Sequence, residues 1–308
     1  MAHPIIIYIP GLLPKPEPEK HRDALFRCLM AGMRRIDAPV ADAIAAKSAN
    51  FSIVSWTYDF YCMHRDIEID RAAIEAVIEQ IEASAKDIAE ASAWSRRLTR
   101  WIYRLGDILP FLIPHLASER MEVHLRDLRR YERNNNGIGD HVRRMLKVLL
   151  LAASGGQHPV LLIAHSMGSV IAYDSLWELS HRHGNPVEID LFLTMGSPLG
   201  QSFIQKKLEG HDRHGKERYP LNIHRWTNLT AIGDLTAVDP TLANNYSEML
   251  ELGLLASIDD KNLLNYFRLD GELNVHSEYG YLANEKTAHT IARWWRGHNS
   301  ELPPIDTS

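Results

Sequence analysis

Residues 159–173 read PVLLIAHSMGSVIAY, and this stretch restricts the fold more tightly than any other. From Val160 to Ala164 the run is continuously apolar, as expected of a strand with both faces buried. It breaks sharply at His165-Ser166-Met167-Gly168, after which Val170, Ile171 and Tyr173 follow at the spacing of a helix packed on one face. A serine therefore stands at the apex of a strand–turn–helix unit. So tight a turn leaves no room for a large side chain two residues before or after the serine, and those positions hold Ala164 and Gly168.

This is the pattern of a nucleophile elbow, usually written G-x-S-x-G. Here it reads A-x-S-x-G, a departure of one methyl group. The geometry turns the Ser166 hydroxyl out of the strand end toward substrate. The backbone N–H groups after it open a helix, where partial positive charge collects. Taken alone, the five residues are equally a plain strand-to-helix turn, so the rest of the chain has to decide.

With 308 residues, the chain is long enough for one large α/β domain with an insertion or for two small domains. Hydrophobic residues make up 45% and charged residues 24%, a globular balance, and the net charge of −5 gives no prior for nucleic acid. Cys28 and Cys62 lie in unlike contexts without C-x-x-C spacing, which suggests neither a disulfide framework nor a zinc site. The apolar run 5–9 has no basic segment before it and is too short for a signal peptide. No run approaches bilayer-spanning length, so a cytoplasmic location is expected.

Taken in order, residues 4–9 (PIIIYI) form a β-branched buried strand that ends in the turn Pro10-Gly11-Leu12-Leu13-Pro14. A helix follows from about Glu19, with Leu25, Leu29, Met33 and Ile36 on one face, and 51–56 reads as a second strand. Ile67, Ile74, Ile78, Ile81 and Ile88 recur at helical spacing and predict one long amphipathic helix. Arginines then alternate with Trp94, Trp101 and Leu105 before a proline-broken apolar segment, 108–114. A further helix through Met121, Leu125 and Leu128 stops at 134–137 (NNNG), and Asp140 is expected to cap a helix over 142–151. Two readings compete for 66–140: a helical insertion packed on the domain, or a lid whose aromatic surface lines an acyl pocket or touches a lipid interface. Later strands are expected at 188–195, ending in GSPLG, and at 223–232, delivering Gly233-Asp234. The polar stretch 210–220 reads as an exposed loop, and its two histidines suggest a metal only weakly. A last helix spans about 284–296, with Ile291, Trp294 and Trp295 inward.

Together these segments resemble the α/β-hydrolase superfamily, specifically its lipase- and esterase-like members. The resemblance covers the sheet-forming parts and leaves 66–140 unmatched. It implies a single domain over 1–308 with a mostly parallel, twisted sheet flanked by helices. It also implies the chain order Ser, then acid, then His. Ser166, Asp234 and His276 fit that order: Asp234 directly follows a strand, and His276 lies in a loop before the final helix. Asp239 is the alternative acid, and His289 and His298 are weaker alternatives for the base. The run His276-Ser-Glu-Tyr resembles the context of the catalytic histidine in lipase-like hydrolases. His165, beside the nucleophile, is expected to pack or hydrogen-bond rather than act as base. In that fold the loop after the first core strand completes an oxyanion hole, which nominates the backbone N–H groups of Leu12 and Met167.

The activity implied is hydrolysis of carboxylic esters through an acyl-enzyme on Ser166, with no metal or organic cofactor required. A lipid acyl hydrolase is the nearest variant. Thioesterase, amidase and peptidase chemistry would use the same groups, and a hydrolase-fold binding protein without turnover is the rival from another class. The expected partners are a small-molecule or lipid ester and, through the insertion, transient contact with a lipid interface.

Overall fold

Six strands build the central sheet of the computed structural model: β1 (Ile5–Ile9), β2 (Phe51–Ile53), β3 (Val160–His165), β4 (Ile189–Met195), β5 (Ile223–Ala231) and β6 (Ser257–Leu263). They lie in the order β2-β1-β3-β4-β5-β6, and every neighbouring pair is parallel. The structure describes residues 3–93, 119–155, 158–182, 187–237 and 241–299.

Parallel neighbours need crossover connections, and helices supply them on both faces of the sheet. In chain order these are α1 (Pro18–Ile36), α2 (Ala38–Ala45), α3 (Thr57–Tyr61), α4 (Glu68–Glu79), α5 (Ala85–Ala91), α6 (Glu119–Glu132), α7 (Ile138–Ser154) and α8 (Met167–His181). After β4 come α9 (Ser202–Gln205), α10 (Leu242–Asn245), α11 (Ser247–Glu251), α12 (Glu278–Ala283) and α13 (Glu285–Gly297). Because side chains alternate along a strand, each strand feeds two cores. Ile6, Tyr8, Leu161, Ile163 and Leu193 pack with Leu25 and Met33 of α1 and Ile291 and Trp294 of α13. Ile7, Ile9, Leu162, Ala164 and Phe192 pack with Leu146 and Leu150 of α7 and Ile171 and Leu179 of α8. Each such large apolar side chain contributes about 2 kcal/mol by leaving water, which is why β3 tolerates no polar residue before its end.

The register aligns the strand ends that matter. Ile9 pairs with Ala164, Ala164 with Thr194, and Met195 with Leu229. Residues just past β1, β3, β4 and β5 therefore share the carboxyl edge of the sheet.

In four places the structure departs from the sequence reading. The isoleucine period over 67–88 is not one helix: α4 stops at Glu79 and α5 starts after a new cap at Ser84. Ser84 and Asp87 form a reciprocal capping box, and Ile81, in the break, is 77% exposed. Local capping chemistry outweighed the apolar period. Asp140 is not a cap either, because α7 begins at Ile138 and Asp140 lies in its first turn. There its N–H donates to Asn134 Oδ1 (3.0 Å), while its carboxylate accepts from Asn134 Nδ2 (2.8 Å) and Arg143. The last strand of the sheet, β6, was not anticipated at all. Its sequence SIDDKNL suits a sheet edge, where Asp260 accepts hydrogen bonds from Asn228 Nδ2 and from the backbone of Leu242 and Ala243. The second strand is also shorter than expected, ending at Ile53. The aromatic, arginine-rich and proline-broken stretch 94–114 lies outside the described residues. No helix among the described residues is long and apolar enough to cross a membrane.

Candidate active site

Where β3 turns into α8, Ser166 has φ 53° and ψ −128°. A non-glycine residue there carries strain of roughly 1–3 kcal/mol and persists only if its neighbours hold it. They do so at both backbone groups. The Ser166 N–H donates to Met195 O (2.9 Å), and its carbonyl accepts from Ser169 N–H (2.9 Å) and Ser169 Oγ (2.6 Å). The small residues around it answer to close packing. A Cβ on Gly168 would stand 2.5 Å from Ile9 O, and one on Gly11 would stand 2.7 Å from Ser166 Cβ. The loop after β1 thus lies directly against the serine.

Residues far apart in sequence meet here. His276 Nε2 is 2.9 Å from Ser166 Oγ, and His276 Nδ1 is 2.8 Å from Asp234 Oδ2. A neutral imidazole satisfies both contacts in one tautomer: Nδ1–H donates to the carboxylate and Nε2 accepts from the serine hydroxyl. Asp234 sits three residues past the end of β5 with its side chain 0% exposed, whereas that of His276 is 26% exposed. Burial alone would raise the Asp234 pKa. Attraction to His276 and hydrogen bonds from His276, Tyr281 and the Thr236 backbone outweigh it and hold the carboxyl below its usual value. Gly196 closes the arrangement from β4. At φ +56°, its missing Cβ would fall 2.9 Å from Asp234 Oδ2 and 3.0 Å from the His276 ring.

Buried polar groups surround these three. The Tyr281 hydroxyl donates to Asp234 Oδ2 (2.7 Å) and accepts from the Ala231 N–H (2.8 Å). His165 Nε2–H donates to the His276 carbonyl (2.9 Å), so the expected hydrogen-bonding role has a definite partner. Burial first, then the proximity of His276, pushes the His165 pKa down to about 3, so the ring is neutral at ordinary pH. Glu278 accepts from Tyr8 OH and pairs with Lys15 and His21, each at 2.9 Å. Burial would raise its pKa, but Lys15 and His21 hold it well below the ordinary carboxylate value. Sequence reasoning missed Tyr281, Glu278 and Lys15. Tyr279, which the His-Ser-Glu-Tyr run picked out, packs instead against His21 and Phe267, and the tyrosine that reaches the site comes two residues later.

Leu12 follows Gly11 in the loop against Ser166, and Met167 is the first residue of α8. Among the described residues, neither backbone N–H has a protein acceptor, which for Met167 is what a helix start leaves. The Leu13 N–H next along is held by Tyr61 OH (3.1 Å), which donates in turn to Asp127 (2.8 Å). Asp239 lies outside the described residues. His289 is exposed on α13, and His298 pairs with Asp190 at 2.8 Å, so neither joins Ser166. His211 donates through Nδ1 to the Leu208 carbonyl (2.9 Å), and no group of three or more potential metal ligands occurs among the described residues. Chemically, the arrangement can raise the nucleophilicity of a serine hydroxyl and hold the positive charge that appears on its base. Comparison of the chain with protein-family models, with curated proteins and with solved structures found no match in any of the three.

Proposed function

We propose that the chain is a serine hydrolase of the α/β-hydrolase type that cleaves carboxylic esters. The observation that carries this reading is the relay Ser166 Oγ–His276 Nε2 (2.9 Å) and His276 Nδ1–Asp234 Oδ2 (2.8 Å), built on a strained serine at a strand end. Supporting it are the parallel sheet, the placement of serine, acid and histidine after successive elements, and the two backbone donors beside the serine.

In this mechanism, Ser166 Oγ attacks the ester carbonyl carbon as its proton passes to His276 Nε2. Asp234 keeps Nδ1–H in place and stabilises the imidazolium. The tetrahedral oxyanion is held by the Leu12 and Met167 N–H groups, each worth ~3 kcal/mol in the transition state. His276 then gives its proton to the departing alkoxide, leaving an acyl ester on Ser166. Water, deprotonated by the same Nε2, attacks that ester, releases the acid and restores the hydroxyl. Thioesters fit the same steps. The lipid acyl variant rests on 94–114 and is separated by a chain-length series.

The test is labelling with a fluorophosphonate and hydrolysis of p-nitrophenyl esters by the full chain and by Ser166→Ala. Labelling and turnover by wild type, both lost in the variant, are expected. Turnover retained in pure Ser166→Ala, or no labelling of folded wild type, ends the proposal, and the latter favours a binding protein.

A further inference from the structure

Asp234 is unusual in how its two oxygens are shared. Oδ1 accepts from the Thr236 N–H (2.9 Å), while Oδ2 accepts from both His276 Nδ1–H (2.8 Å) and Tyr281 O–H (2.7 Å). Imidazole and phenol therefore compete for the same oxygen. The phenol has no freedom to leave. Its oxygen is fixed by the Ala231 N–H at the end of β5 (2.8 Å), and the tyrosine side chain is fully buried on α12. The short helix that follows His276 thus reaches back to the acid on which His276 depends.

We propose that Tyr281 is a positioning residue that acts through Asp234: it aims Oδ2 at His276 and, by drawing on the same lone-pair density, moderates how strongly the carboxylate stabilises the imidazolium. The inference rests on the Ser166–His276–Asp234 reading. A hydrogen bond to an anion lowers the charge it can offer to a second partner. Removing the phenolic hydroxyl leaves a less satisfied carboxylate facing Nδ1–H, so His276 should hold its proton to higher pH. The other titratable groups around the pair are His165 on β3, its ring 4.7 Å from that of His276, and Glu278 on α12. Behind Glu278 stand Lys15, His21 and Tyr8. His165 also packs against the Tyr281 ring (centroids 5.7 Å apart), but the hydroxyl's hydrogen bonds run to Asp234 and from the Ala231 N–H, so its removal reaches His276 through Asp234.

The experiment compares the pH dependence of kcat/KM for wild type and Tyr281→Phe, and for full chain carrying 3-fluorotyrosine at position 281. Tyr281→Phe should move the low-pH limb upward by roughly half a unit and lower the plateau by about tenfold. The fluorinated phenol is a stronger donor and should move the limb the opposite way. It also keeps the hydroxyl, so it remains informative if the phenylalanine variant fails to fold. The low-field imidazole N–H resonance of the His276–Asp234 pair should shift downfield in Tyr281→Phe and upfield with fluorotyrosine, a readout that needs no turnover. A plateau loss with unmoved limb and resonance would reduce Tyr281 to packing and overturn the inference. Wild type that neither labels nor turns over would instead sink the hydrolase reading, and the resonance alone would then judge Tyr281.

Discussion

Replacing Asp234 by asparagine separates the charge of the acid from its geometry. An amide must put its oxygen at one carboxylate position and its NH2 at the other. With the oxygen at Oδ2 it keeps two donors, His276 Nδ1–H and Tyr281 O–H, and loses only the Thr236 N–H. Turned the other way, its NH2 donates to His276 Nδ1 if the imidazole takes the opposite tautomer, with Nε2–H facing Ser166, and the ring can then no longer accept the serine proton. In the first orientation the imidazole keeps its tautomer and what disappears is the negative charge 2.8 Å from Nδ1, so the charge alone sets the smallest loss to expect. At an effective dielectric of about 20, opposite charges some 4 Å apart attract by ~4 kcal/mol. That much transition-state stabilisation corresponds to roughly a thousandfold in rate. The assay is kcat/KM for a short-chain p-nitrophenyl ester above the low-pH limb, with thermal unfolding as a check on folding. A folded Asp234→Asn protein losing less than about tenfold would refute the argument that this buried carboxylate stabilises the imidazolium.

Two further substitutions test the packing around the site. Gly196→Ala places a methyl 2.9 Å from Asp234 Oδ2 at φ +56°, so kcat/KM should fall on the order of a hundredfold with a stability loss of about 1–2 kcal/mol. Gly253→Ala (φ +69°, nothing within 4 Å of its Cβ) should lose similar stability in a melt while leaving the rate unchanged, and equal rate losses would contradict the steric account. His165 is held neutral in the fold, with a pKa lowered from 6.5 to about 3, so the unfolded chain binds the extra proton first. Its contribution to stability is therefore complete above about pH 6.5 and is lost progressively as pH falls toward 3. His165→Gln, which keeps a donor for the His276 carbonyl but cannot titrate, should flatten the wild-type decline in Tm between those limits. An unchanged slope would count against the buried neutral imidazole.

Some of this protein could be read directly along the chain. The apolar run into Ser166, the small residues at 164 and 168, and the strand ends before Gly196 and Gly233 all describe backbone states that neighbouring residues impose on one another. A sharp turn excludes bulk locally, and a doubly buried strand must be apolar throughout, so both leave their mark in consecutive letters. The order Ser166, Asp234, His276 came from the resemblance, with Ser166 and Asp234 each after a strand and His276 in a loop before the last helix. Local reading failed where two local signals conflicted, as at Ser84, where a capping box cut an isoleucine period that looked continuous. It failed again at β6, whose polar residues suit a sheet edge that only the packed neighbours create.

The partners of the site belong to another category. Tyr281, Glu278 and Lys15 carry no spacing that distinguishes them from ordinary core or surface residues. Their roles arise because α12 folds back against the ends of β1, β3 and β5, bringing together donors and acceptors from distant parts of the chain. A buried carboxylate must find its hydrogen bonds wherever the packed chain supplies them, and no local pattern records which residue that will be.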